Sequence, residues 1–392
     1  MTPKAKKICF VATTGKCLAL FLLPQANYLA DHGWEVTLVA SEDARLRLKA
    51  APSITYIVMP MRRGVPLLGV FTNTCRLYRL FRRERFTFVQ YFMPNAAFYA
   101  SIAAKLAGIR YRYYQLGGLR YSASGGVKRA LLKLADRLAC ACSTEVVAVS
   151  RGNLELAERD GVFPQGKGIV IGNGGSKGVD LRLFDIAEKE RYRAEFRAQL
   201  GIAPTDIVIG FAGSIRRDKG CGELFEAFIA LTKQHSNIKL LLLGDRDYYR
   251  TIPEPLRNAI EALPQAIFVP DFGESAPYIP YEEMPRRMAA FDILAFPSYR
   301  EGLPNVVLEA QALAIPVVVA AVPGSLDAFA PGETGIAVPM RNATTLAEAL
   351  ASLIESEQKR QKMGAVGRVW VENRFDQATL LEQIRAEKEV KL

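Results

Sequence analysis

Hydrophobic positions along the chain fall in short β-branched or aromatic runs, each followed by a polar or glycine-containing loop and then a longer amphipathic stretch. That alternation predicts repeated βαβ units built on parallel sheets. Residues 7–13 read as a first strand, 13–16 as a loop, the apolar stretch to Asp31 as a helix, and 32–40 as a second strand. Residues 88–122 read as strand, helix, strand and glycine turn, and residues 143–157 as a strand whose Ser150 caps a helix. Four glycines (172, 174, 175, 178) then make a flexible turn. The rhythm restarts with strands at 207–214 and 238–244, followed by runs at 266–270, 293–296 and 317–321. The charged helix beginning near residue 187 separates the two series. Its position predicts domains at 1–185 and 186–370, followed by a C-terminal helical segment at 371–392.

The densest chemistry lies at residues 291–320. A buried-strand run, 293–296, is closed by Pro297 and Ser298. Pro304 suits the first turn of a helix, and Pro316 follows its end. The helix is apolar almost all round, yet carries Glu309, with Glu301 just before it. A buried carboxylate costs several kcal/mol unless something pairs with it. Either acid alone reads as a solvated charge or a partner of the helix dipole. Together, at the C-terminal end of a parallel strand where open α/β sheets bind ligands, they read as a site. The N–H groups of Asn305 and Val306 at the same helix start suit a phosphate. Arg216, Arg217 and Lys219 follow the 207–214 strand and face the same crevice, where cations neutralise a diphosphate.

The stretch "SYREGLPNVVLEAQALAIPVV" resembles the paired-glutamate motif of the family-4 retaining glycosyltransferases, in the spacing of Glu301 and Glu309 and in Gly302, Pro304 and the flanking strands. The resemblance extends over most of the chain. It implies an α/β fold of two Rossmann-like domains with a cleft between them, the GT-B architecture, and a C-terminal helix crossing back to the first domain. It also implies that Glu309 binds the ribose and Glu301 the transferred sugar. Lys219, with Arg216 or Arg217, would stabilise the leaving diphosphate. Gly213, Ser214, Gly302, Leu303, Asn305 and Val306 would complete the donor site. Where relatives often carry an arginine, this chain has Ser214. In the first domain Thr14, Gly15, Gly117, Gly118, Arg120 and Asn173 are the implied acceptor or cleft residues. The turn at 117–121 is similar to the one in relatives that build capsule and lipid-linked oligosaccharides, with Gly117 where they have arginine. The histidine that other members carry there is absent, so no base is assigned to this turn.

Composition narrows the setting. Half the residues are hydrophobic and 23% charged, as in ordinary globular proteins. No apolar run approaches the ~18 residues that span a bilayer, and the basic start leads into a strand rather than a secretory signal. The six cysteines have no zinc spacing, and Cys140 with Cys142 reads as core in an apolar helix. Two histidines make a histidine-rich metal site an unpromising reading, so neither metal nor cofactor is expected. Residues 1–185 hold 27 Lys and Arg against 12 Asp and Glu, a net +15, whereas residues 186–392 hold 24 against 28, a net −4. A basic half suggests a polyanionic surface as partner. Residues 61–86 carry Arg62, Arg63, Arg76, Arg79, Arg82, Arg83 and Arg85 beside Leu67, Val70, Phe71, Leu77, Leu80 and Phe81. A basic amphipathic helix of this kind reads either as a solvated basic face or as a contact with an anionic membrane, its apolar residues adding a salt-resistant part.

These readings converge on a metal-independent glycosyltransferase using a nucleotide-diphosphate sugar, UDP-linked and with a hexosyl or N-acetylhexosaminyl group. The resemblance implies a polyprenyl-diphosphate-linked sugar or polysaccharide intermediate as acceptor, while the basic half and residues 61–86 point to a cytoplasmic protein peripheral on the anionic cytosolic face of the inner membrane. Nucleic acid is not the expected partner. The rivals are a nucleotide-sugar epimerase and a non-catalytic protein that binds anionic membrane or nucleic acid; the second leaves Glu301 and Glu309 unexplained.

Overall fold

The computed structural model describes residues 6–61, 67–246, 248–269 and 280–392. Arg62, Arg63 and Pro270 lie outside them. The chain divides into two units, Met1–Gly178 with Gln377–Leu392, and Val179–Asp376.

In the first unit, seven strands among the described residues form a parallel sheet ordered β3-β2-β1-β4-β5-β6-β7. They are β1 Lys7–Ala12, β2 Glu35–Ala40, β3 Thr55–Val58, β4 Phe88–Phe92, β5 Tyr111–Leu116, β6 Glu145–Ala148 and β7 Gly168–Ile169. Successive residues of β1 point to opposite faces, and both faces are buried. Ile8, Phe10 and Ala12 pack with Leu18, Leu22 and Leu29. Cys9 and Val11 pack with the helices of the other side. The helical run after β1 begins at Gly15–Cys17 and passes through a π-turn at Leu18–Leu22 into α1, Leu23–Asp31. Pro24, which has no N–H to donate, sits at the re-entry to α-geometry.

The other face carries α2 (Leu67–Glu84), α3 (Pro94–Leu106) and α4 (Gly126–Cys142), with α3 between its two neighbours. Ala96, Ala97, Ala100, Ala103 and Ala104 of α3 are fully buried, and their small side chains let both neighbours come close. Leu77, Leu80 and Phe81 of α2 are also buried in this core. They therefore cannot serve as an apolar membrane-facing surface. What α2 turns outward is Phe71, Arg76, Arg79, Arg82 and Arg83. The C-terminal helix Gln377–Glu389 belongs to this unit, where Tyr113 Oη donates to Glu387 at 2.9 Å and Tyr28 Oη to Glu382 at 2.9 Å.

In the second unit, six strands among the described residues form a parallel sheet ordered β10-β9-β8-β11-β12-β13. They are β8 Ile207–Ala212, β9 Ile238–Leu243, β10 Ala266–Val269, β11 Ile293–Phe296, β12 Val317–Ala320 and β13 Gly335–Val338. The order reverses between β8 and β11, which creates a topological switch point. The charged helix Lys189–Gln199 belongs wholly to this unit because it is tied to the start of β11. Arg193 and Arg197 reach Asp292 at 2.6 and 2.5 Å, and Asp292 also accepts from Val208 N–H at 2.7 Å. The chain consequently crosses between units at 178/179, ahead of residue 185, and again at 376/377 rather than 371. The two crossings are neighbours, Val179 N–H donating to Phe375 O at 2.8 Å.

Candidate active site

Two loops meet at the switch point of the second unit. After β8 the chain runs through Gly213–Arg216 and a 3-10 turn, Arg217–Lys219, into α5, Cys221–Leu231. After β11, residues 297–304 lead into α6, Asn305–Ala312. The loops are held together by backbone bonds: Tyr299 N–H donates to Asp218 O at 3.0 Å, and buried Ser298 lies within 3.4 Å of the same carbonyl. Gly220, with φ 72°, makes the closest approach, since a Cβ there would stand 2.1 Å from Pro297 O. On the other side of β8, Gly213 N–H donates to Leu243 O at 2.9 Å.

This stitching places Lys219 Nζ 2.5 Å from Glu301 Oε1, although the residues are far apart in sequence. Their side chains are 21% and 13% exposed, so the pair is only partly screened by water. Lys219 Nζ also lies 5.4 Å from the centre of the Phe296 ring. The cation of one loop and the acid of the other thus face each other across the switch point.

Helix α6 starts beside Glu301. Pro304 is its N-cap rather than its first helical residue, with φ −75° and ψ 103°. Asn305 and Val306 are half-exposed in the first turn, where helix N–H groups have no intrahelical acceptor. One turn on, Glu309 is 5% exposed and accepts a hydrogen bond from Tyr281 Oη at 2.9 Å. Burial, and then the Glu309 charge, push the Tyr281 phenol well above its usual range, so it remains a donor to the carboxylate. Gln311 holds the far side, its amide donating to Val307 O at 3.0 Å and Ala328 O at 2.8 Å.

The remaining expected donor residues have definite places. Ser214 Oγ donates to Asp245 Oδ2 at 2.7 Å, where Asp245 follows β9. Arg216 pairs with Asp218 at 2.7 Å and stands 5.6 Å from the Tyr248 ring centre. Arg217 is exposed, with its N–H on Thr251 Oγ1 at 3.0 Å. Lys219 is therefore the basic residue of this loop that meets Glu301. Tyr281 and Asp245 reach the site without any local sequence signal. The demand for a partner to buried Glu309 was legible; its identity, 28 positions away, was not.

In the first unit the expected acceptor residues lie along the C-terminal strand ends. Thr14 caps the helical run, its Oγ1 accepting from Cys17 N–H at 3.4 Å. Gly15 opens that run rather than standing in a free loop. A Cβ there would come within 2.6 Å of Ser41 O, so the glycine permits contact between two chain segments. Gly117 and Gly118 follow β5, and a Cβ on Gly117 would meet the Phe92 ring at 2.5 Å. Arg120 is exposed at the start of a 3-10 turn, and Asn173 lies in the loop after β7.

Comparison with known proteins identifies the family. Residues 19–174 match the "Glycosyl transferase 4-like domain" and residues 192–370 match "Glycosyl transferases group 1". The chain belongs to the family-4 glycosyltransferases. Over 383 residues it is 27% identical to the capsular polysaccharide biosynthesis glycosyltransferase CapM of Staphylococcus aureus, covering 98% of this chain and 97% of that one. Over 361 residues it is 25% identical to the N,N'-diacetylbacillosaminyl-diphospho-undecaprenol alpha-1,3-N-acetylgalactosaminyltransferase of Campylobacter jejuni, covering 90% and 91%. The fold of Anabaena HepE, solved with UDP and glucose, superposes with a TM-score of 0.78 at 21% identity, covering 98% of this chain and 99% of that chain. The two parallel-sheet α/β units are those of a GT-B glycosyltransferase. No helix among the described residues is long and apolar enough to cross a membrane.

Proposed function

We propose that this glycosyltransferase is a retaining enzyme that takes a UDP-linked hexose or N-acetylhexosamine and transfers it to a polyprenyl-diphosphate-linked sugar or a growing polysaccharide. The observation that carries the reading is the Lys219–Glu301 pair across the switch point, beside the α6 N-terminus and buried Glu309. Glu309, oriented by Tyr281, accepts from the ribose hydroxyls. When the donor arrives, its diphosphate takes Lys219 and the α6 amides, and Glu301 turns to the sugar hydroxyls. The bond from the anomeric carbon to the diphosphate oxygen breaks as the bond to the acceptor oxygen forms on the same face. The acceptor proton passes to the departing phosphate oxygen. Charge grows on that diphosphate in the transition state, where preorganised donors act most strongly. Lys219 and the helix terminus supply this stabilisation without a metal ion.

The acceptor class is supported by the names of the relatives from Staphylococcus and Campylobacter. The enzyme works at the cytosolic face of the inner membrane, drawn there by Arg76, Arg79, Arg82, Arg83 and Arg85. These arginines are exposed, and contribute a salt-sensitive attraction. The test is a panel of nucleotide sugars with and without lipid-linked acceptor, following release of the nucleoside diphosphate in chelator. Release from a UDP-sugar that rises with acceptor is the expected result. Strict dependence on a divalent cation, or conversion of donor to its epimer, would overturn the proposal.

A further inference from the structure

Helix α4 packs Leu132 on the core but turns four other large hydrophobic side chains away from it. Val127, Leu131, Leu134 and Leu138 are 77%, 62%, 52% and 44% exposed. At 3.6 residues per turn these four positions fall within an arc of roughly 60° and run ~16 Å along the helix. The opposite side is packed on α3 and the sheet through Ala139, Cys140 and Asp136, all buried. The stripe is therefore a second apolar face rather than a displaced core.

Its flanks are basic. Lys128 and Arg137 are exposed on either side of the stripe, with Arg137 anchored by a 2.8 Å bond from Nε to Gly161 O, while half-buried Lys133 turns towards the packed side, 5.9 Å from the Tyr121 ring centre. Asp136, the acid of α4, points inward and accepts from Tyr114 Oη at 3.1 Å. Arg129 leans towards Asp160 at 3.6 Å. Across α3, helix α2 adds Arg76, Arg79, Arg82 and Arg83, with Phe71 71% exposed near its start. Its acid, Glu84, is occupied by Lys7 and Arg83.

We propose that α4 is the element on which this protein rests on an anionic lipid bilayer. Val127, Leu131, Leu134 and Leu138 enter the headgroup boundary, while Lys128 and Arg137 meet lipid phosphates. The inference goes beyond the function proposed above, which gives α4 no lipid contact. An apolar stripe with a cationic rim is the form that interfacial helices take. A second copy of the chain fits less well, because a self-complementary contact would set each basic flank against its own kind.

The test uses the full chain and sedimentation with vesicles of phosphatidylglycerol in phosphatidylcholine, or of phosphatidylcholine alone. The wild type should bind the anionic vesicles, with part of the binding surviving high salt. Leu131→Gln with Leu134→Gln should lower partition about tenfold and remove the salt-resistant part. These sites are exposed, so UDP binding by calorimetry should be unchanged and serves as the control for folding. Leu134→Trp should show blue-shifted emission with anionic vesicles. Unchanged sedimentation of the double variant, or no emission shift, would overturn the proposal. So would equal binding to neutral vesicles, or a dimer that the double variant dissolves without loss of lipid binding. Vesicle binding involves no turnover, so its failure leaves the glycosyl-transfer proposal intact, and failed turnover leaves the lipid result standing.

Discussion

Removing Lys219 should weaken UDP binding, whereas removing the charge of its partner Glu301 should not. Glu301 holds Lys219 at 2.5 Å, so the carboxylate competes with the donor diphosphate for the same ammonium group. At an effective dielectric of ~20 two unit charges 4 Å apart attract by ~4 kcal/mol, an upper bound that partial exposure reduces. A net competition of ~1 kcal/mol is a fair working value for a pair exposed to this degree, equivalent to about fivefold in affinity. Lys219→Ala should then weaken UDP binding about tenfold and lower kcat by ~10²-fold or more, because its contact grows as charge develops on the leaving group. Glu301→Gln should leave UDP affinity unchanged or up to about fivefold tighter, while turnover of the sugar donor falls. Calorimetry with UDP and steady-state kinetics with the preferred donor separate the two effects. If Lys219→Ala bound UDP as wild type does, or Glu301→Gln weakened UDP as much as Lys219→Ala, the assigned roles would be wrong.

Glu309→Gln replaces a charge-assisted bond to ribose with a neutral one, and calorimetry should show UDP affinity reduced by ~1–2 kcal/mol. Gly220→Ala should cost ~2 kcal/mol or more in urea denaturation, because its positive φ and the Pro297 carbonyl 2.1 Å from a Cβ leave no room to adjust. Lys388, 1% exposed and 5.2 Å from the centre of the Tyr113 ring, has its ammonium pushed down to about 8 by burial. Between about pH 8 and 10.5 the unfolded chain keeps the proton that the folded chain has lost, so this group makes stability rise across that window. Lys388→Met should flatten the rise and stabilise the protein near pH 7 by an amount on the order of 3 kcal/mol, read from denaturation curves over that range.

Local order in this chain determines much of what it is. The strand-length runs ending in glycine or proline, and the spacing of Glu301, Pro304 and Glu309, mark two βα series and place both acids beside one helix start. Each of these signals depends on residues close together along the backbone, where steric and hydrogen-bonding preferences act directly. The pairing of Lys219 with Glu301, Tyr281 with Glu309 and Ser214 with Asp245 depends instead on which strands lie side by side. Sheet order, with β8 between β9 and β11, decides those contacts. The two amphipathic helices show the same division most plainly. Periodicity marks an apolar stripe on α2, but whether a stripe is covered depends on the neighbour it meets. On α2 the stripe bearing Leu77, Leu80 and Phe81 turns into the core. On α4, Ala139 and Cys140 occupy the packed side against alanine-lined α3, and only the tertiary fold leaves Val127, Leu131, Leu134 and Leu138 facing outward.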